Sequence, residues 1–508
     1  MQHFTHLIDL ASVRLGAEVV AANDEFFAPK ENLIKPEPAI FIPDKYTDRG
    51  KWMDGWETRR RRTPGHDWCI LKLGQPGIIR SLVVDTAFFR GNYPSHCSLD
   101  ACGIPEGTDL TALTDGSIRW HSVLPQSELR GDAENPLTIG DPRRFTHVRL
   151  NIFPDGGVAR LRVLGEAMPD WTRVLADAAE IDLAAILNGA HLVDTSDRFF
   201  GEPANMLMPY PPANMGEGWE TKRRRGPGHD WSVVHLGIEG TIRRVEIATT
   251  HFKGNYPESC SLEAAIMKDD RGGVSADSTT VRAHWNTVLA RTQLGPDAHH
   301  TFDTVLTPGV TATHVKLNIF PDGGISRMRI RGVPTSTARQ GAVLGLLNVM
   351  DEPELRAALA NYLSAPAWID RMMASRPFAT PAALFAASDA AADALRDEQW
   401  LEAFRHHPRI GERTAERAQS DVSSGWSARE QSAVHGATAA DVAALAEANR
   451  EYERRFGHVF IVCASGRSAR DMLAALRARL GNHPSMELKT AAAEQRTITR
   501  LRFEKVLG

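Results

Sequence analysis

The chain has 508 residues, 42% of them hydrophobic, and a formal net charge of -4. That length allows about two to four domains, and that apolar content excludes global disorder. The charge offers no footprint for nucleic acid or an anionic membrane surface.

No apolar run reaches the length of a membrane span. Met1 to Val20 carries Asp9, Arg14 and Glu18 and does not read as a signal peptide. The closing residues Glu504 to Gly508 are not a peroxisomal signal. Five cysteines (Cys69, Cys97, Cys102, Cys260 and Cys463) stand at irregular spacing with no C-x-x-C. That is a reduced, cytoplasmic pattern without a disulfide framework or structural zinc.

From the N-terminus, one long segment is followed by its own copy. GWETRRRRTPGHDW from Gly55 returns as GWETKRRRGPGHDW from Gly218. FFRGNYPSHCSL from Phe88 returns as HFKGNYPESCSL from His251. THVRLNIFPDGGVARLRV from Thr146 returns as THVKLNIFPDGGISRMRI from Thr313. The unit is a whole domain, so two domains are expected over 15–170 and 185–335. Each reads as β-rich. Val148, Leu150 and Ile152 alternate with Arg149 and Asn151, and Val315, Leu317 and Ile319 alternate with Lys316 and Asn318. Short strands between Gly/Pro turns predict an antiparallel sandwich or jelly roll. The Ala/Leu/Asp-rich linker from Trp171 to Ala190 is expected to be a helix. From about Ala338, Ala, Leu, Arg and Glu dominate. Leu473, Leu476 and Leu480 form a helical stripe, so 340–508 is read as all-α.

The polar clusters match between the copies. Arg61, His66, Asp67, Asn92, Tyr93 and Asn151 pair with Arg224, His229, Asp230, Asn255, Tyr256 and Asn318. Arginine forks suit a carboxylate or a urea carbonyl. Asn and Tyr can bond ureido groups. His66 and Asp67 form a candidate acid/base pair, although strand neighbours point to opposite faces. Against this stands a structural reading. Pro-Asp-Gly-Gly is what a tight turn needs, and Trp68 and Trp231 are expected in the core.

These duplicated motifs resemble allantoicase over residues 15–335. The resemblance implies a pair of jelly-roll domains and hydrolysis of allantoate to ureidoglycolate and urea. It does not single out the catalytic residues. A divalent metal is compatible with such a site, but no ligand spacing requires one. The residues do not choose between one site per copy and a single composite cleft.

In the C-terminal third, Trp400, Ala403, Phe404 and His407 share a helical face, and Pro408 places His407 at the helix end. The helix dipole favours a protonated histidine there; a core or capping histidine is an equal reading. Ser427 to Glu430 alone reads as a capping box. Cys463, in the apolar run before Gly466-Arg467, reads as buried and inert. Taken together, Trp-Leu-Glu-Ala-Phe, His-Pro-x-Ile-Gly, S-x-x-E-Q and Phe-Gly-x-x-Phe-Ile-Val-Cys-Ala-x-Gly-Arg resemble 2-oxo-4-hydroxy-4-carboxy-5-ureidoimidazoline (OHCU) decarboxylase. Trp368, Arg376-Pro377-Phe378 and Leu501-Arg502 extend the match. The resemblance implies His407 as proton donor and Glu430 as its partner. It also implies substrate contacts from Pro408, Ser427, Gln431, the backbone of Ile461, Val462, Cys463 and Ala464, and Arg467 and Arg502. Decarboxylation to (S)-allantoin needs no cofactor, because the ring itself absorbs the electrons.

The expectation is a bifunctional, cytoplasmic, homo-oligomeric enzyme of ureide catabolism acting on allantoate and OHCU. It has neither a nucleic-acid nor a membrane partner. The alternative makes the β-domains a ligand-binding or oligomerising scaffold for the decarboxylase.

Overall fold

Along Arg144–Phe153 the alternation of apolar and polar residues produces a strand with two unlike faces. Val148, Leu150 and Ile152 are fully buried and pack with Cys69, Leu71, Cys97 and Leu99. Each such side chain contributes about 1.5–3 kcal/mol by burial. The computed structural model describes residues 7–176, 179–267, 284–405, 407 and 438–508.

The first repeat contains β1 (Trp56–Glu57), β2 (Asp67–Asp85), β3 (His96–Cys102), β4 (Arg144–Phe153), β5 (Gly157–Val158) and β6 (Arg160–Ala167). All pairings among them are antiparallel, in the order β6-β2-β4-β3, with β1 and β5 forming a separate two-stranded ribbon. The first half of β2 pairs with β4 and with Glu18–Ala22. Its second half pairs with β6 and with Glu134–Thr138. The long strand thus links two sets of partners, as in a sandwich. The second repeat follows the same plan with β7 (Trp219–Glu220), β8 (Asp230–Ala248), β9 (Ser259–Ala265), β10 (Thr311–Phe320), β11 (Gly324–Ile325) and β12 (Arg327–Pro334).

The expected linker helix is confined to Trp171–Ala176. By Ile181–Asp182 the chain is already a strand on β12. Ile181, Leu183 and Ala184 are buried, and Asp182 accepts from the N–H of Ile330 at 3.0 Å. Burial in the second core overrides the helical propensity of this stretch. The core tryptophans are also different from those expected. Trp56 and Trp219 are fully buried, whereas Trp68 and Trp231 are half-buried. Register explains this. Trp68 lies opposite Asn151 and Trp231 opposite Asn318, on the polar face of each sheet.

The chain divides into two contact units. One comprises Met1–Ala342 with Val349–Asp351, and the other Val343–Asn348 with Glu352–Gly508. The second unit is helical among its described residues, including α1 (Asp397–Phe404), α2 (Ala439–Phe456), α3 (Ala469–Arg479) and α4 (Pro484–Leu507). Met472, Leu473 and Leu476 are the buried stripe of α3 and pack with Leu445 and Tyr452 of α2. All five cysteines are buried, and none is in a disulfide. Among the described residues no helix is long and apolar enough to cross a membrane.

Candidate active site

In each repeat the three duplicated motifs meet at one turn. Gly157 of β5 pairs with Glu57 of β1, and its N–H donates to the carbonyl of Asn92 at 2.7 Å. Thr58 and Gly156 exchange hydrogen bonds through backbone and hydroxyl. The glycines are steric necessities. A Cβ on Gly156 would stand 2.7 Å from the Asn92 carbonyl, and one on Gly157 would stand 1.9 Å from the Phe89 ring. Gly156 also has φ +141°. The carboxylate of Asp155 accepts from the N–H of Arg61 at 2.8 Å, which ties the arginine-rich loop to the same turn. Asp322 does this for Arg224 at 2.7 Å.

The candidate side chains fall into three groups. Asn92 donates to Glu57 at 2.7 Å, and Asn255 donates to Glu220. Burial pushes the Glu57 carboxyl up, against the opposing pull of Asn92. Asp67, buried, accepts from Asn23 at 3.0 Å and pairs with Arg61 at 3.7 Å. Asp230 accepts from Ser196 at 2.9 Å and contacts Arg224 closely. The third group lies on the polar sheet face. Asn151 donates to Ser98 and to Asp100, which also pairs with Arg149 at 2.9 Å. Asn318 donates to Ser261 and Glu263. The ring of His66 rests on Phe153 at 4.7 Å, and that of His229 on Phe320 at 4.5 Å. His66 and Asp67 therefore engage different neighbours and are not brought together as a pair. Tyr93 packs over Gly131 and against the cluster of Met53, Phe89 and Ala159, and Tyr256 is half-buried.

In the helical unit, Trp400, Ala403 and Phe404 form the buried face of α1. His407 lies just past the helix, half-buried, with its N–H on the Phe404 carbonyl at 3.1 Å. Phe404 stacks near His458 at 5.2 Å, which brings the end of α1 beside the Val459–Ala464 segment. That segment is buried. Arg479 of α3 donates to the Ile461 carbonyl at 2.8 Å, and the Cys463 N–H donates to Glu494 of α4 at 2.7 Å. Arg467 pairs with Glu494 at 3.4 Å, and buried Arg502 donates to the Asn361 carbonyl at 2.8 Å. Pro408, Ser427, Glu430 and Gln431 lie outside the described residues.

Residues 8–168 and 181–335 each match the sequence model of the allantoicase repeat. The chain belongs to the allantoicase family. Residues 348–504 match the OHCU decarboxylase model, so the allantoicase repeats are joined to a second enzyme domain. Probable allantoicase 2 of Burkholderia pseudomallei is 49% identical over 325 residues, covering 64% of this chain and 94% of that protein. A probable allantoicase of Pseudomonas aeruginosa is 46% identical over 331 residues, covering 65% and 97%. The crystal structure of allantoicase from Saccharomyces cerevisiae shares 34% identity with a TM-score of 0.55, covering 65% of this chain and 94% of that one.

The allantoicase repeats hold carboxylates that motif reading passed over. Glu57 and Glu220 stand inside the repeated Gly-Trp-Glu-Thr, and Asp100 and Glu263 directly follow the repeated Cys-Ser-Leu. An acidic residue kept in both copies was the available signal. Asn23 and Ser196, which hold the buried aspartates, carried none because they lie outside the repeated blocks. No group of three or more His, Cys, Asp or Glu that could hold a metal occurs among the described residues.

Proposed function

We propose that the β-domains hydrolyse allantoate to ureidoglycolate and urea, and that the helical domain decarboxylates OHCU to (S)-allantoin. The observation that carries the first half is the meeting of three duplicated motifs at one turn, where Asn92 bonds Glu57 and Asp155 holds the Arg61 backbone, with Asn151 fixed on the polar sheet face of the same repeat.

Allantoate bears two ureido groups and a carboxylate on one carbon. Loss of urea needs a proton on the departing nitrogen, while the other ureido nitrogen pushes electrons toward the carbon. Glu57 suits the proton donor, since a carboxyl pushed up by burial keeps its proton nearer neutrality. His66, half-exposed against Phe153, suits the group that takes a proton from the attacking water. Exposed Arg60 and Arg62 supply cationic donors for the carboxylate. This scheme needs no metal. In the helical domain, the position of His407 at the end of α1 supports proton delivery after CO2 leaves, with Glu430 as its partner by resemblance.

The test is urea release from allantoate by the purified chain, with and without a chelator. Release unaffected by chelator is the expected result. Release abolished by chelator and restored by a divalent ion would overturn the metal-free scheme. No release under either condition would leave the β-domains a binding or scaffolding unit.

A further inference from the structure

The two repeats keep the same asparagine but leave it in different states. Asn318 is satisfied at both ends. Its amide NH2 donates to Ser261 at 3.2 Å and Glu263 at 3.0 Å, and its Oδ1 lies 3.2 Å from Nε2 of His229. Asn151 makes the matching donations, to Ser98 at 3.0 Å and Asp100 at 2.9 Å. Its side chain is 3% exposed, yet its Oδ1 has no hydrogen-bond partner among the described residues.

The amide cannot be turned round to remove the mismatch. Flipping it would aim Oδ1 at the Asp100 carboxylate and lose a charge-assisted bond. His66, which corresponds to His229, lies on Phe153, and its ring makes no hydrogen bond among the described residues. The first repeat therefore presents a buried acceptor without a donor, on the same sheet face as Trp68 and Phe153. The remedy exists in the second copy and is not used in the first. Arg61 adds a buried Nε–H without a hydrogen-bond partner among the described residues, a feature it shares with Arg224 in the second repeat, so the asymmetry rests on the asparagine alone. One acceptor with a cationic donor in the same repeat is the complement of a ureido N–H beside a carboxylate or carbonyl oxygen.

We propose that Asn151 anchors a ureido N–H of the substrate, that the working ureide site is the one in the first repeat, and that His229 plugs the equivalent acceptor in the second. This rests on the allantoate reading and adds where in the duplicated domains the substrate lies.

Hydrogen exchange of the full chain with hydantoate, which carries one ureido group and one carboxylate, reads the location directly. Slower exchange is expected in peptides covering residues 58–66 and 153–157, and not in 221–229 and 320–324. Equal protection of both sets, or of the second alone, overturns the proposal. In urea-release assays Asn151→Ala should raise KM for allantoate about tenfold or more, the loss of one well-made hydrogen bond. Asn318→Ala should give a shift at least about fivefold smaller. Equal shifts refute the asymmetry. First-repeat protection without urea release would keep the site and sink the reaction. Urea release without first-repeat protection would do the opposite.

Discussion

Replacing Arg160 by methionine tests what holds Glu57 in place. Arg160 is 2% exposed and pairs with the buried carboxylate of Asp54 at 2.7 Å. It also donates to the carbonyls of Glu37, Asp54 and Ala159 at 2.9, 2.9 and 2.7 Å. It thereby fixes the approach to β1. Removing it strands Asp54, which among the described residues keeps only the N–H of Ile40 and half-exposed Lys35. Breaking a buried pair costs about 3–5 kcal/mol, and the surviving partners place this case near 3. The second repeat supplies a control. Arg327 donates to the carbonyls of Tyr210, Glu217 and Ser326 and forms no ion pair with a carboxylate among the described residues, and burial pushes its guanidinium down to about 10. Arg327→Met should therefore cost only about 1–2 kcal/mol. Urea denaturation followed by tryptophan fluorescence measures both variants. A loss under about 1 kcal/mol for Arg160→Met, or one no larger than for Arg327→Met, would refute the argument.

Further outcomes follow from other sites. Burial, assisted by Lys72, pushes His147 from 6.5 down to about 4. The unfolded chain binds that proton first, so the stability involved is present above pH 6.5 and lost as pH falls toward 4. The loss is about 3 kcal/mol; His147→Asn should flatten this part of a stability profile, and an unchanged slope between pH 6.5 and 4 would contradict it. Glu57→Gln keeps the shape and the bond to Asn92 but removes the proton, so kcat for urea release should fall about a hundredfold. Retention within a few-fold would exclude Glu57 as donor. His407→Ala should abolish CO2 release from OHCU and leave urea release intact. Equal loss of both activities in a folded variant would sink the model of two separate sites.

The duplication, the β-then-α order and both family resemblances were legible in the sequence, because repeated blocks, strand alternation and the α3 leucine stripe are local signals. The polar faces were legible for the same reason: a period of two puts Arg149 and Asn151 together whatever the sheet does. Non-local features were not. Whether Trp56 or Trp68 enters the core depends on which strand lies opposite, and the Asn151–Trp68 register decides it. The linker's helical composition yields at Ile181 because the second core buries that residue. His66 and Asp67 are neighbours in sequence, yet their side chains have different partners, the His66 ring on Phe153 and the Asp67 carboxylate on Asn23. Above all, two copies with the same asparagine and the same histidine differ in whether those residues meet. Sequence determined which groups each repeat owns; only tertiary packing decided which of them are satisfied, because a hydrogen bond depends on ångström-scale placement that no residue carries in its own identity.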